Sequence, residues 1–295
     1  MKRVKKNKVG FIGLGIMGKP MVYNLVKNNY EVYFYARKRK IISEVSNIGG
    51  IFVPSIEDIP KHTNICITNL PNTRDVKTVV IGKMGLIKNL KKDSIVIDMS
   101  TISPDGAVEI NDRLSIAKSS FIDAPVSGGE AGAKSGELSI MVGGDKSIFR
   151  KIMPILKVLG NKITYIGKSG SGQICKACNQ ILVAKTIQSI SEIISIAGKS
   201  DINPMVIRDA LLAGYANSRI LEIHGKRMIN ADYKPGFKLS LHNKDLKIAK
   251  KLLEKLGLNL KGLNEVKKLM DSAQVAGLSD SDSSVIHTIL EKTYK

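Results

Sequence analysis

The chain contains no tryptophan, and aromatic residues fill only 5% of its 295 positions. That scarcity argues against a base-stacking platform for single-stranded nucleic acid, which needs rings at intervals along a groove. Cysteine is also sparse. Cys66, Cys175 and Cys178 give no even set for a disulfide framework, in keeping with a reducing cytoplasm. Cys175 and Cys178 have the spacing of a redox pair or half a zinc site, but no second pair exists and the four histidines are scattered. Two small apolar-like side chains at a helix start is the plainer reading, and no metal is expected. No apolar run approaches the roughly 20 residues that span a bilayer, because charges such as Lys185 and Glu192 interrupt the longest one. Residues 1–8 are basic but lead straight into a strand, without the apolar core of a signal peptide. The expectation is a cytoplasmic protein with no membrane partner.

Acidic residues are few beside basic ones, 26 against 46, which leaves a formal net charge of +20. Such a charge favours anionic partners. The lysines are spread along the chain, with short clusters at 2–8, 37–40 and 250–255, as on solvated faces. A non-catalytic scaffold associated with nucleic acid is the alternative of a different class. Hydrophobic content of 43% and charged content of 24% are ordinary for a globular protein, and the length suits two domains.

The first half alternates β-like and helical runs, the pattern of a parallel sheet with crossover helices. Strands are expected at 8–12, 31–35, 65–68, 95–98, 121–124, 138–142 and 163–166, with a helix capped by Asp145 running to Leu159. Between the first strand and the first helix lies Gly13-Leu14-Gly15-Ile16-Met17-Gly18. A G-x-G-x-x-G turn in that context is a dinucleotide fingerprint: glycine permits the tight turn, and the helix N-terminus offers free N–H groups to a pyrophosphate. An NAD site usually places a carboxylate at the end of the second strand. Here Arg37, Lys38, Arg39 and Lys40 stand there instead, cations suited to a 2′-phosphate that Arg37 can grip bidentately. NADP(H) is therefore expected, with NAD(H) the alternative.

Asn69-Leu70-Pro71-Asn72 and Met99-Ser100-Thr101 lie at carboxyl ends of strands, the edge where an open α/β sheet binds its ligand. Leu70 and Pro71 are expected beside the nicotinamide and its ribose, though on pattern alone both stretches are turns. Ser127, Gly128 and Gly129 combine a hydroxyl with two successive glycine N–H groups, a small concavity fit for a substrate carboxylate. The glycine loop 167–172 then opens a long helix, expected over 173–198. Lys176, Asn179 and Gln180 share a face at its start. Beyond Gln180 the helix is apolar nearly all round, which predicts burial on most sides. The residues alone leave Lys176 open: a working or paired lysine, or one that snorkels to water. The remainder reads as helices, starting at Pro204, at Asp245, near Asn264 and at Ser283, with His242 exposed in a loop before the second of these.

Four stretches together carry a family resemblance: residues 10–18, 123–129 continuing to 141–144, 170–180 and 244–246. On these the chain resembles the β-hydroxyacid dehydrogenases, the 3-hydroxyisobutyrate dehydrogenase-related family, over essentially its whole length. Residues 216–222 and 234–237 are similar to the branch that acts on tartronate semialdehyde. The resemblance implies an α/β Rossmann-type domain over 1–167 and an all-α domain over 168–295, joined by the long helix. It implies NAD(P)H-dependent reduction of a small carboxylate semialdehyde, here tartronate semialdehyde to glycerate, and a homo-oligomer, dimer or tetramer. The same chemistry on 3-hydroxyisobutyrate, glyoxylate or succinic semialdehyde is the near alternative. By resemblance Lys176 is the catalytic lysine, Ser127, Gly128 and Gly129 bind the substrate carboxylate, Asn179 helps hold the substrate, and Thr101 and Lys244 contact the cofactor. Gln180 departs from the Asn that many members carry.

Overall fold

The computed structural model describes residues 7–293, so most of the basic cluster at 2–8 lies outside the described residues. The chain divides into two compact units, Met1–Lys176 and Ala177–Lys295.

The first unit is built on a nine-stranded sheet of β1 (Lys8–Ile12), β2 (Glu31–Tyr35), β3 (Ile51–Phe52), β4 (Ile65–Thr68), β5 (Ile95–Asp98), β6 (Ser120–Asp123), β7 (Val126–Ser127), β8 (Leu138–Gly144) and β9 (Gly160–Gly167). Strands β3-β2-β1-β4-β5-β6 run in that order, each parallel to its neighbour. β8 turns antiparallel against β6 and β7, while β9 pairs parallel with β8. The connections include α1 (Gly18–Lys27), α2 (Arg39–Asn47), α3 (Ile59–His62), α4 (Thr73–Ile81), α5 (Pro104–Ile116), α6 (Gly129–Ser135) and α7 (Lys146–Leu159).

Successive residues of a strand face opposite sides of the sheet. Ile95 and Ile97 of β5 pack into one core cluster with Phe11 and Leu25, and Val96 packs into another with Ile59 and Ile110. Covered on both faces, β5 is buried at every residue, as parallel strands are. The order 3-2-1-4-5-6 is that of the dinucleotide-binding Rossmann sheet, with its crevice at the β1/β4 switch point.

A long helix, α8 (Ser171–Lys199), crosses the division between the units and runs one residue past Gly198. Its later part joins α9 (Pro204–Leu212), a π-helical turn at Leu221–Gly225, α10 (Lys226–Ile229), α11 (Leu239–Lys255), α12 (Lys261–Val275) and α13 (Ile286–Thr293) in the all-α second unit. Ala184, Ile187, Ile190 and Ile194 of α8 pack there with Leu246, Val266 and Met270.

Three expectations are corrected. α8 is not buried on most sides, since Leu182 and Ile196 are 66% and 62% exposed: the packed stripe takes one face, and among the described residues nothing covers these two on the other. By length and hydropathy α8 also meets the requirement for a membrane-crossing helix, despite Lys185 and Glu192, although its buried stripe packs in a protein core. His242 is fully buried inside α11, which begins at Leu239 rather than Asp245. Its Nε2 lies 3.2 Å from the Gln180 carbonyl oxygen, and its ring centroid 5.5 Å from that of Phe237.

Candidate active site

The turn after β1 has the geometry that its glycines foreshadow. Gly13 has φ +104°, and a Cβ there would lie 2.1 Å from the Asn69 carbonyl oxygen, so only glycine fits. A Cβ on Gly18 would strike the Gly13 carbonyl oxygen at 1.9 Å. Gly15 meets nothing within 4 Å, leaving the backbone open to a ligand. Among the first residues of α1 there is no side-chain cap and no acidic group, so the positive end of the helix is available to a phosphate. Leu14 and Met17 are half-buried, and Ile16 is exposed. These residues fit a dinucleotide pyrophosphate.

Arg37 and Lys38 are exposed just beyond β2, and Arg39 and Lys40 fall in the first turn of α2. That turn has neither an acidic residue nor a side-chain cap. Cations at a helix N-terminus repel the helix dipole, an arrangement that an anion at that end relieves.

At the same sheet edge a buried polar network ties together the loops after β4, β5 and β6. Asp98 Oδ1 accepts from Thr68 Oγ1 at 2.8 Å and from Ser100 Oγ at 2.5 Å. Ser100 Oγ accepts in turn from the Leu70 N–H at 2.8 Å, fixing the turn that holds Leu70 and exposed Pro71. Gln173, in the first turns of α8, donates from Nε2 to the Ser100 carbonyl oxygen at 2.9 Å and accepts the Ile102 N–H on Oε1 at 3.0 Å. Half-buried Thr101 lies between these two anchors. Asp123, the last residue of β6, caps α8: it accepts from the Gly170 N–H at 2.8 Å and the Gln173 N–H at 3.0 Å. Burial pushes the Asp98 carboxyl up to about 7, opposed by its hydrogen bonds from Ser100 and Thr68. Burial raises Asp123 as well, against the N–H groups of Gly170 and Gln173.

Lys176 sits one turn beyond Gln173 and is 6% exposed. Four residues past Asp123 stands Ser127, half-buried at the end of β7, followed by exposed Gly128 and Gly129 with φ of +134° and +61°. A Cβ on Gly129 would meet nothing within 4 Å, so this turn too presents open backbone, at the start of α6.

In the second unit, Asn179 Nδ2 donates to Gln180 Oε1 at 2.8 Å, and Gln180 Nε2 donates to buried Asp245 Oδ2 at 2.6 Å. Lys244 Nζ lies 2.8 Å from Asp245 Oδ1. Asn179 and Lys244 thus belong to one chain of polar contacts. Sequence reasoning missed Asp98, Gln173 and Asp245 as members of these networks. The one signal for Gln173 was its place a helical turn before Lys176.

A glycine-rich turn at the switch point of such a sheet defines a dinucleotide-binding protein. Comparison with known proteins narrows the class. Residues 8–167 match the family described as the NAD binding domain of 6-phosphogluconate dehydrogenase, and residues 170–290 that described as NAD-binding of NADP-dependent 3-hydroxyisobutyrate dehydrogenase. The chain is 39% identical to 2-hydroxy-3-oxopropionate reductase of Escherichia coli (strain K12) over 284 residues, 96% of this chain and 97% of that one. It is 30% identical to 2-(hydroxymethyl)glutarate dehydrogenase of Eubacterium barkeri, covering 98% and 96% of the two chains. A solved structure of Mycobacterium tuberculosis 3-hydroxyisobutyrate dehydrogenase with L-serine superposes with a TM-score of 0.87 at 28% identity, covering 97% of this chain and 99% of that one. The chain belongs to the 3-hydroxyisobutyrate dehydrogenase family. It is an NAD(P)-dependent oxidoreductase with the hydroxyacid dehydrogenase activity of that family.

Proposed function

We propose that this enzyme reduces tartronate semialdehyde (2-hydroxy-3-oxopropanoate) to glycerate, with NADPH as the preferred cofactor and Lys176 as the general acid. The observation that carries this reading is buried Lys176, held on the helix turn that Asp123 caps, with the Ser127–Gly129 turn four residues further along the chain from Asp123. The choice of substrate is supported by the 39% identity to the Escherichia coli reductase along nearly the full length of both chains.

The chemistry that a bound NADPH would supply is hydride delivery to the aldehyde carbon. Residues 13–18 hold the dinucleotide pyrophosphate, Arg37 and Lys38 the 2′-phosphate, and Leu70, Pro71 and Thr101 the nicotinamide end. Ser127, Gly128 and Gly129 offer a hydroxyl and two N–H groups to the substrate carboxylate, binding its charge without a cation. The Lys176 ammonium stabilises the negative charge that develops on the aldehyde oxygen and donates the proton that makes the alcohol. In the reverse direction the neutral amine takes that proton back. Likeness to the family over 170–180 and 244–246 supports giving Asn179 to the substrate and Lys244 to the cofactor. Exposed Leu182 and Ile196 support a homo-oligomer, dimer or tetramer, that covers the open face of α8.

The test is oxidation of NADPH and of NADH against a panel of tartronate semialdehyde, methylmalonate semialdehyde, glyoxylate and succinic semialdehyde. The highest kcat/KM is expected for tartronate semialdehyde with NADPH. A higher value for another member reassigns the substrate, and turnover of none overturns the reading.

A further inference from the structure

We propose that Gln173 is a positioning residue that locks Thr101 and the first turns of α8 into one frame, so that the cofactor-contacting loops and Lys176 keep a fixed relation. The inference rests on the site residues assigned above and adds one that contacts neither substrate nor cofactor.

Gln173 is 1% exposed, and its amide is engaged at both ends. Oε1 accepts from the Ile102 N–H and Nε2 donates to the Ser100 carbonyl, the two peptide groups on either side of Thr101. A carboxamide presents a donor and an acceptor in one plane, which matches an N–H and a C=O two residues apart on an extended chain. Ile102 and Ser100 are buried, so no water can take over their bonds without opening the site. The Gln173 N–H is fixed in turn on Asp123, at the strand end that leads to the Ser127–Gly129 turn. Through the Ser100 hydroxyl the same frame reaches the Leu70 N–H. One side chain therefore couples the Leu70 turn and the Thr101 loop to the helix turn that carries Lys176. Helical packing alone needs none of this; an apolar side chain of equal length would fill the same space.

Two variants separate positioning from filling. Gln173→Met keeps the volume and removes both side-chain hydrogen bonds. Gln173→Glu keeps an acceptor for Ile102, but its ionised form turns a second acceptor toward the Ser100 carbonyl; when protonated, it restores the donor. Three readouts apply: exchange of the Ile102 amide hydrogen in the cofactor-free protein, NADPH affinity by titration of the dinucleotide's fluorescence, and kcat. For Gln173→Met the expected results are at least tenfold faster exchange at Ile102, at least tenfold weaker NADPH binding and a tenfold or greater fall in kcat at saturating NADPH. Gln173→Glu is expected to regain NADPH affinity relative to wild type as pH falls, while Gln173→Met does not. Should Gln173→Met not fold, the pH profile of Gln173→Glu decides alone. NADPH affinity and kcat within twofold of wild type in folded Gln173→Met, or a flat profile for Gln173→Glu, overturns the proposal. If wild type turns over no semialdehyde yet Gln173→Met still shows faster exchange and weaker NADPH binding, the assigned reaction fails and the positioning role stands.

Discussion

Gln180 Nε2 donates to Asp245 Oδ2 at 2.6 Å, linking the polar start of α8 to the Lys244–Leu246 stretch within the second unit. Asp245 is buried and its other oxygen faces Lys244, so the carboxylate is held between an amide and an ammonium. The shorter Asn side chain that many family members carry next to Asn179 would fall short of this contact by one methylene. Gln180→Ala is expected to lower unfolding stability by about 1–3 kcal/mol, the cost of leaving a buried acceptor short of its donor. Gln180→Glu sets a second carboxylate against the first and should be worse still. Urea melts of the two variants check the order; wild-type midpoints for both would refute the coupling.

Much of the sheet was legible in the sequence, because β1, β2, β4 and β5 are apolar runs closed off by glycine, asparagine or charge, and their observed ends are the expected ones. The two-residue strands β3 and β7 are too short to show a period. The start of α11 was hidden by its composition: His242, Asn243 and Asp245 look like loop residues until their partners are known. Those partners, Gln180 for His242 and Asp245 and Asp271 for Asn243, lie far away in the chain. The same holds for Gln173, and for Asp98 toward Thr68. Family motifs expose Lys176, but a hydrogen bond across 71 residues leaves no local pattern.

Two buried carboxyls give stability opposite dependences on pH. At Asp98 the folded value of about 7 stands above the unfolded value near 3.9, so the folded state holds the extra proton and stability falls as pH rises between them. Asp98→Asn keeps an acceptor for Thr68 and Ser100 and removes the titration. Its melting temperature relative to wild type should rise from pH 5 to pH 8, and a constant difference would show that Asp98 does not titrate there.

Asp282 behaves in the reverse sense. Burial alone would raise it, but the hydrogen bond and charge of His224, the Phe237 N–H and the Ser284 hydroxyl outweigh burial and hold it well below the usual carboxylate range. Arg227 Nη1 lies 3.0 Å away. Its contribution is present above the unfolded value near 3.9 and is lost as pH falls through the lower folded value. Asp282→Asn should cost about 3 kcal/mol at pH 7, as when one partner of a buried pair is removed. The deficit should shrink in acid, measured as urea midpoints at pH 7 and pH 3.

Exposed Leu182 and Ile196 on α8 should become buried when copies of the chain associate. Light scattering is expected to give a dimer or tetramer for wild type and a smaller species for Leu182→Asp combined with Ile196→Asp. A monomeric wild type, or a double variant of unchanged mass, would contradict the assembly.

Arg37 and Lys38 stand at the uncapped N-terminus of α2. Replacing both by alanine should raise the KM for NADPH roughly tenfold or more, the effect of losing one or two charge-assisted hydrogen bonds. The KM for NADH should hardly move. Equal changes for the two cofactors would refute the 2′-phosphate assignment.

If Lys176 moves the proton, a paired measurement on Lys176→Ala shows it: steady-state reduction of tartronate semialdehyde beside NADPH affinity. Loss of the general acid predicts a fall in kcat of at least about 100-fold, with NADPH binding close to wild type. Turnover near wild type, with the cofactor bound, would show that Lys176 is not the general acid.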